Sequence, residues 1–580
     1  MNLSNQIKND IILILEKIDF LKNSGILETL EKPPQEEFGD IASNVCFSLA
    51  KELKKSPMQI AQDIVSKIQI PKNSLIQKIE AKGGYVNFFY NHQELSKLLI
   101  KEILKQDKKY GSSKIGKGKK VIVEYSSPNI AKPFTIGHLR STIIGNAAAN
   151  ILEFAGWKVY RDNHLGDWGT QFGKQVYAIQ NWGDEKELDN SKNPVKELVN
   201  LYVKFHQEAE KNPVLEEEGR KWFKRLEDRN PIARRLWKKC IEWSMKEFNR
   251  IYKRLNVKFT ENNGMGYGES FFEDKMKDAV EELEKKNLLK ESKGAKLIFF
   301  PNDKLPPLMI IKNDGATLYS TRDLATDKFR LNKYGKDIVV INETGYEQSL
   351  YFNQIFAAEE MLGWYKKGQR YHLKHGMFRF KEGKMSTRKG NVIWLEDVLD
   401  EAVEKVKEKI EKSSNNKLSD KQKINTAETV GIGAIKYFDL SHDSVNDIVF
   451  DWERILSFDG DTGPYLQYAY VRGKNILKKA KKWKETYSFE KLSNEEKKIL
   501  NKLLELPSII EKASKELKPN YICNYAYELS DLFNTFYHMH PVLQIQDKNL
   551  KNFRLTLVKA FTTTLKNCLT LLGIDTPEVM

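Results

Sequence analysis

At 580 residues the chain exceeds what a single hydrophobic core accommodates, so several domains are expected. Lys and Arg number 95 against 79 Asp and Glu, a net charge of +16 that favours a polyanionic partner, and 40% hydrophobic residues suit soluble globular domains. Cys46, Cys240, Cys523 and Cys568 are scattered without a C-x-x-C pair, which argues against a zinc knuckle or a disulfide framework, and no segment approaches the roughly 20 apolar residues of a membrane span. A soluble cytoplasmic protein, with no membrane attachment and no structural metal, is expected.

Residues 1–112 read as an α+β unit. Asp40 is placed to cap a helix carrying Ile41, Val45 and Leu49 on one face, Pro57 suits the first turn of another helix, and Tyr85 to Phe89 reads as a strand after Gly83-Gly84. Gly111 to Gly118 nearly matches a phosphate-binding loop. However, Gly118 stands where a hydroxyl would hold Mg²⁺, and a strand follows where that loop needs a helix, so it reads as a flexible basic linker.

The organising stretch is Val121 to Gly173, VIVEYSSPNIAKPFTIGHLRSTIIGNAAANILEFAGWKVYRDNHLGDWGTQFG. Val121-Ile122-Val123 starts a buried strand. Leu139, Ile143, Ala147 and Ile151 recur at helical spacing up to Gly156, and Trp157 to Tyr160 is a second strand, so the unit is βαβ. Such units build a doubly wound parallel sheet whose ligands bind beyond the strand ends. Pro133 to His138 occupies that position, where free N–H groups and the helix dipole favour a phosphate; Gly137 permits close approach and His138 supplies an imidazole donor. A helical, charged insertion follows, assigned to about 181–310, in which Trp182, Trp222, Trp237 and Trp243 read as core, and Asp274 to Lys286 reads as a long helix before a strand near Ile298 to Phe300. The parallel sheet resumes near Gly315: Tyr319 to Asp323 opens a helix, Ile338 to Ile341 is a strand, and Gly345 to Gln348 lies past its carboxyl end. From 451 to 580 the pattern is helical, with Tyr465, Tyr468, Val471 and Leu477 on one face and Tyr525, Leu529, Phe533 and Phe536 on another, as in a bundle.

The block SSPNIAKPFTIGHLRST, then LGDWGTQFG, and far downstream Lys384-Met385-Ser386-Thr387-Arg388-Lys389-Gly390-Asn391, resemble in order the signatures of arginyl-tRNA synthetases, a class I family. FGDIASNVCFSLAK near the start, with GPYLQYAYVRGKNIL and LLGIDTPEVM near the end, resemble the same family, so the likeness spans essentially the whole chain. It implies a multidomain α/β architecture: an α+β tRNA-binding domain at 1–112, a Rossmann-like doubly wound catalytic domain at 118–380, a KMSKS-type loop and stem-contact region at 381–450, and an all-α anticodon-binding domain at 451–580.

The implied reaction joins arginine to the α-phosphate of ATP, brought as its Mg²⁺ complex, and passes the arginyl group to the 3′-terminal adenosine of tRNA(Arg). Such chemistry rests on positioning and charge stabilisation and needs no enzyme nucleophile. By the resemblance, His138, Lys384, Lys132 and Lys389 carry the catalytic charge. ATP falls to Thr135, Gly137, His138, Gly345, Gln348, Lys384, Met385 and Ser386, and arginine to Glu124, Ser126, Asn129, Tyr319 and Asp323. A guanidinium, with five donors in a planar fork, calls for such carboxylate and phenol acceptors. Two departures from the general class I pattern stand out: Thr135 replaces the first histidine, and Thr387 replaces the second lysine of the KMSKS-type loop, a change that many arginyl enzymes share and that a lysine just ahead of the first motif, here at the place of Lys132, is expected to compensate. A monomer is the family expectation. The competing readings are a catalytically inactive tRNA-binding paralogue and a small nucleotidyltransferase.

Overall fold

The computed structural model describes residues 3–22, 25–71, 74–380, 393–412 and 418–580. In the first domain α1 (Leu3–Leu15) precedes the short strands β1 (Leu30–Glu31) and β2 (Ile41–Ser43), then α2 (Val45–Leu53), α3 (Pro57–Lys67), β3 (Ile76–Lys82), β4 (Tyr85–Tyr90) and α4 (His92–Gln106). The four strands form a sheet in the order β1-β2-β4-β3, antiparallel throughout. Pro57 takes the first position of α3 as expected, and Ser56 and Gln59 on either side of it close a reciprocal capping box.

Asp40 does not cap a helix. The residues after it, Ile41-Ala42-Ser43, extend as a strand, and α2 starts four residues later than the capping role requires. Its carboxylate instead accepts the Tyr90 N–H at 2.7 Å and the side-chain amide of Asn501 at 2.6 Å. The Gly111 to Gly118 segment is also not a loose linker. The backbones of Ser113 and Gly116 bond Phe154 and Ala155, and the two glycines Gly111 and Gly116 press against Leu506 and Trp157, where a β-carbon would lie 2.7 Å and 2.2 Å from the neighbouring side chain. Small residues are needed because the chain threads between packed helices.

The parallel sheet contains β5 (Lys120–Glu124) and β6 (Lys158–Asp162), joined by α5 (Ile136–Phe154). The insertion supplies α6 (Gln171–Trp182), α7 (Glu185–Asn190), α8 (Pro194–Lys211), α9 (Val214–Glu227), α10 (Pro231–Arg254) and α11 (Met276–Lys285). The expected helix from Asp274 is 3-10 over Glu269–Lys275 before α11 begins. A small antiparallel sheet follows: β7 (Leu289–Ser292), β8 (Ala295–Ile298) and β9 (Leu308–Ile311). Then come α12 (Tyr319–Tyr334), β10 (Val339–Gly345), α13 (Ser349–Met361) and β11 (Arg370–His375). The parallel strands lie in the order β11-β10-β5-β6, with Asn342 opposite Glu124 and Glu124 opposite Asp162. Chain order reverses between β5 and β10, and that switch point, outside the carboxyl ends of the strands, is where such a sheet opens a crevice. Trp222, Trp237 and Trp243 are buried in the insertion core as expected.

Strand β12 (Phe378–Phe380) pairs in parallel with β13 (Ile448–Phe450), and between them run α14 (Leu395–Lys412) and α15 (Asp420–Leu440). The last part holds α16 (Trp452–Ile455), α17 (Gly463–Lys479), α18 (Asn494–Glu516), α19 (Asn520–Met539) and α20 (Lys548–Leu571). Helices α17 to α20 pack as a bundle, in which Phe533 stacks on Phe561 with ring centroids 3.8 Å apart. Tyr525, Leu529, Phe533 and Phe536 are buried in it, whereas Tyr468 is 38% exposed. The first domain docks on this bundle, since the Tyr110 hydroxyl donates to Leu503 O at 2.7 Å and Lys32 pairs with Glu505. Among the described residues no helix is long and apolar enough to cross a membrane.

Candidate active site

The loop from Tyr125 to Phe134 leaves the end of β5 in a conformation that costs energy. Ser126, Ser127 and Ala131 have φ of 75°, 44° and 55°, a left-handed region that non-glycine residues seldom occupy, at a cost of about 1–3 kcal/mol each. Bonds from other elements hold each of them. Ser126 N–H donates to Ser141 Oγ of α5 at 3.0 Å, Ser127 N–H to Asn163 Oδ1 at 3.1 Å, and Ala131 N–H to Ser244 Oγ of α10 at 2.9 Å. The loop is also laced to the Leu165-Gly166-Asp167-Trp168 segment through Ile130 N–H to Gly166 O and Gly166 N–H to Pro128 O. A β-carbon at Gly166 would fall 2.3 Å from Asn129 Oδ1, so only glycine lets Asn129 sit there.

Helix α5 begins directly after this loop with Thr135 as its N-cap residue. Thr135 N–H donates to Nδ1 of His138 at 3.0 Å, so that nitrogen is an acceptor and neutral His138 carries its proton on Nε2. Burial pushes the imidazole pKa down, which keeps it neutral, and Phe134 stacks on the ring at 5.2 Å. The substitution at Thr135 therefore leaves a defined tautomer, with an N–H donor aimed away from the cap. Gly137 is exposed in the same first turn. One turn on, the buried Arg140 donates to Asp439, Asn446 O and Ser444 O, tying α5 to the last turn of α15 and the stretch after it.

Lys384, Met385, Ser386 and Lys389 lie outside the described residues. The residues that resume the chain are bonded to the His138 motif: Ile136 N–H donates to Ile393 O at 3.1 Å, and Leu395 N–H to Phe134 O at 2.9 Å. Lys132 is half-buried beside Gln171, Gln175 and Tyr202 and has no carboxylate partner among the described residues.

A cavity of about 520 Å³ opens at the switch point. Of the expected arginine-binding residues, Glu124, Asn129, Tyr319 and Asp323 line it, and so does Gln348 from the ATP set. Gly345 closes β10 at the same end of the sheet. Ser126 does not line the cavity: its strained backbone turns the hydroxyl inward to Tyr252 at 2.8 Å, so its part is to hold the loop.

The two expected pocket carboxylates differ. Glu124 is already neutralised by the chain itself. Burial would raise its pKa, but the Arg330 guanidinium beside it more than offsets that and holds it below the usual range; Asn342 donates to its other oxygen at 2.9 Å. Asp323 accepts the Tyr351 hydroxyl and pairs with no lysine or arginine among the described residues; its neighbour Arg322 pairs with Glu273 at 2.9 Å instead. Burial pushes the Asp323 pKa up, and nearby Glu124 and Asp327 add to the effect. Tyr319, 60% exposed, stands one helical turn before it at the cavity mouth, its ring edge-on to Tyr351.

Beneath the cavity lies an ion network that the sequence reading missed. Arg330 pairs with Glu124, with Asp162 at 3.0 Å and with Asp327 at 3.1 Å, while Arg370 pairs with Asp327 at 2.7 Å and Glu359 at 2.8 Å. All six side chains are nine-tenths or more buried. Two guanidinium groups face four carboxyls, of which Glu359 has its pKa driven well up by burial, so the floor retains negative charge even with that proton in place. Oδ1 of Asn342 is a buried acceptor without a protein partner in the same wall. A concave, anionic, acceptor-rich site at the mouth of a doubly wound sheet suits a cation with several N–H donors, next to a helix start suited to phosphate.

Comparison with known proteins agrees. The family model for tRNA synthetases class I (R), catalytic domain, matches residues 99–452, the DALR anticodon binding domain matches 466–580, and the arginyl tRNA synthetase N terminal domain matches 5–90. The arginine–tRNA ligases of Clostridium perfringens and Halothermothrix orenii are 46% and 45% identical to the chain, each over 98% of both sequences. The arginyl-tRNA synthetase of Thermus thermophilus superposes with a TM-score of 0.79 over the whole of both chains at 25% identity. The chain belongs to the arginyl-tRNA synthetases, a family of the class I fold.

Proposed function

We infer that this chain is an arginine–tRNA ligase. It activates L-arginine with ATP to arginyl-adenylate and pyrophosphate, then transfers arginine to the 3′-terminal adenosine of tRNA(Arg). The observation that carries the substrate assignment is Asp323, a buried carboxylate that no lysine or arginine among the described residues pairs with, in a cavity whose buried Glu124 and Asp327 are both held by arginines. An arginine side chain entering there supplies the missing cation. In this reading Asp323 and Tyr319 take the guanidinium fork, and Glu124, fixed by Arg330, and Asn342 Oδ1 add acceptors. Asn129 and Gln348 face the backbone groups of the amino acid and the adenosine side.

The His138 Nε2–H and the first turn of α5, with Thr135 and Gly137, meet the phosphates, where negative charge grows as the carboxylate attacks phosphorus. Lys132 adds a cation beside this loop. Lys384 and Lys389, with Met385 and Ser386, are assigned to the ATP phosphates and departing pyrophosphate by their motif, and Mg²⁺ enters with ATP as substrate. The tRNA is held along the basic surface and by the helical bundle. The chain works as a cytoplasmic monomer.

ATP/pyrophosphate exchange, run with arginine in the presence and absence of total tRNA and repeated with Asp323→Asn, tests the reading. Exchange that depends on arginine and falls in the variant by an amount equivalent to about 2–5 kcal/mol, the usual loss for truncating one partner of a buried charge pair, is expected. Tight tRNA binding without exchange under any condition would return the chain to the inactive tRNA-binding alternative.

A further inference from the structure

His164 lines the cavity, is half-buried, and has no part in the roles above. It sits in the loop after β6, directly before the Leu165-Gly166-Asp167-Trp168 segment that is bonded to the Asn129 loop. Its Nδ1 lies 3.0 Å from the carbonyl oxygen of Tyr267, and a carbonyl can only accept, so Nδ1 carries a proton in every charge state. The ring packs on Phe272 with centroids 5.7 Å apart, which fixes its plane. Nε2 alone is left to meet what fills the cavity. Neutral, it presents a lone pair; protonated, it presents a second cation.

We propose that His164 is a further arginine-reading residue of this site: its neutral Nε2 accepts an N–H of the substrate, and arginine enters by displacing the proton that Nε2 carries in the empty cavity. This rests on the assignment of the cavity to arginine. The groups facing His164 are Glu124 from β5, Asp323 and Arg330 from α12, Glu269 from the 3-10 segment, and Asp167 from its own loop. Four are carboxyls and one is a guanidinium already shared among Glu124, Asp162 and Asp327. Burial alone would lower the imidazole pKa, and the attraction of Glu124, Asp323 and Glu269 outweighs it, so the empty site keeps the imidazolium to a higher pH than a free imidazole does. A guanidinium paired to Asp323 brings a permanent positive charge to the same carboxylate and cancels that attraction. The proton leaves to solvent, and the lone pair it vacates becomes an acceptor for the ligand. The proton on His164 thus fills the cation position while arginine is absent, which spares Asp323 from standing as an uncompensated buried charge.

The sign follows from linkage. Below the imidazole pKa of the empty site, binding must expel a proton, so arginine binds more weakly as pH falls, approaching about tenfold per pH unit; above it, affinity levels off. We would measure arginine and ATP KM for charging of tRNA from pH 6 to 8.5 with the full chain and with His164→Asn. Asparagine can still donate to Tyr267 O but does not titrate. The arginine KM of the natural chain is expected to climb towards low pH with the ATP KM level, and that of the variant to be flat. The same climb in both proteins would overturn the proposal and assign the proton to Asp323. Should the variant not fold, calorimetry of arginine binding to the natural chain at pH 6 and pH 8.5, in buffers of different protonation enthalpy, decides: net proton release that is larger at pH 6 supports the proposal, and release that is absent or no larger at pH 6 refutes it. Failure of the natural chain to charge any tRNA with arginine is a separate result, and would sink the ligase reading itself.

Discussion

The cavity floor and the cleft in the helical bundle use arginine in opposite ways. In the floor, Arg330 and Arg370 have buried side chains whose nitrogens go to fixed carboxylates, Arg370 also lying over the rings of Phe356 and Tyr365. In the bundle, a cleft of about 410 Å³ between α17 and the end of α19 has Arg472 lying between the rings of Tyr468 and Tyr537, 4.7 Å from each centroid, with Asn534 holding one of its nitrogens. Both tyrosines are more than a third exposed. The floor is rigid and charged, with one position left for a small cation. The cleft offers flat π faces and a delocalised cation, which tolerate any stacked ring. Under the proposed function the floor suits the reading of one amino acid, and the cleft suits bases stacked without regard to sequence.

The strongest way to break this contrast is Arg330→Ala. It strands Glu124 and Asp162 and leaves Asp327 to Arg370 alone, and the expected loss is about 3–5 kcal/mol of stability, read from denaturant unfolding, together with loss of arginine-dependent exchange. Asp323→Asn on the same helix should leave the unfolding midpoint close to that of the natural chain while arginine binding collapses, because no lysine or arginine among the described residues pairs with it. A variant as unstable as Arg330→Ala would contradict the division between framework and substrate carboxylates. Tyr537→Ala should raise the KM for tRNA by about 1–3 kcal/mol, the worth of one stacked base, with the KM for arginine unmoved. Movement of both constants together would erase the separation. The mildest change, Arg472→Lys, keeps the charge and removes the plane. We expect a loss of about 0.5–1 kcal/mol in tRNA binding by filter titration, and a loss as large as that of Tyr537→Ala would show that hydrogen bonding, not stacking, dominates the cleft.

Much of the frame was legible because its signals are periodic. The apolar positions of α5, the β-branched run of β5 and the turn at Gly156 place the βαβ unit without tertiary knowledge. Asp40 misled because a three-residue strand is too short to show alternation, so a polar residue before apolar ones looked like a cap. The ion network was hidden for a related reason. Asp327 and Arg330 are spaced i, i+3 on α12, a pattern that in sequence is indistinguishable from a solvated helix face; only the arrival of Arg370 and Glu359 from β11 and α13 buries them. His164 carried a weak signal, a lone histidine ahead of the Leu165-Gly166-Asp167-Trp168 segment, and its meaning depends on Tyr267, more than one hundred residues away. The hydroxyl of Ser126 turns to Tyr252 and away from the cavity lining, a direction that the sequence does not show.

The docking of the first domain on α18 has a consequence for synthesis. Asp40 waits for Asn501, which follows 461 residues later, and the Tyr110 hydroxyl waits 393 residues for Leu503. At about 5–20 residues per second, an interval of roughly 400 residues corresponds to about 20–80 seconds on the ribosome. Throughout that time the first domain can fold its own sheet, but the surface that α18 will cover stays open. A nascent chain stalled before α18 would therefore display that surface to chaperones and proteases, and the completed bundle withdraws it.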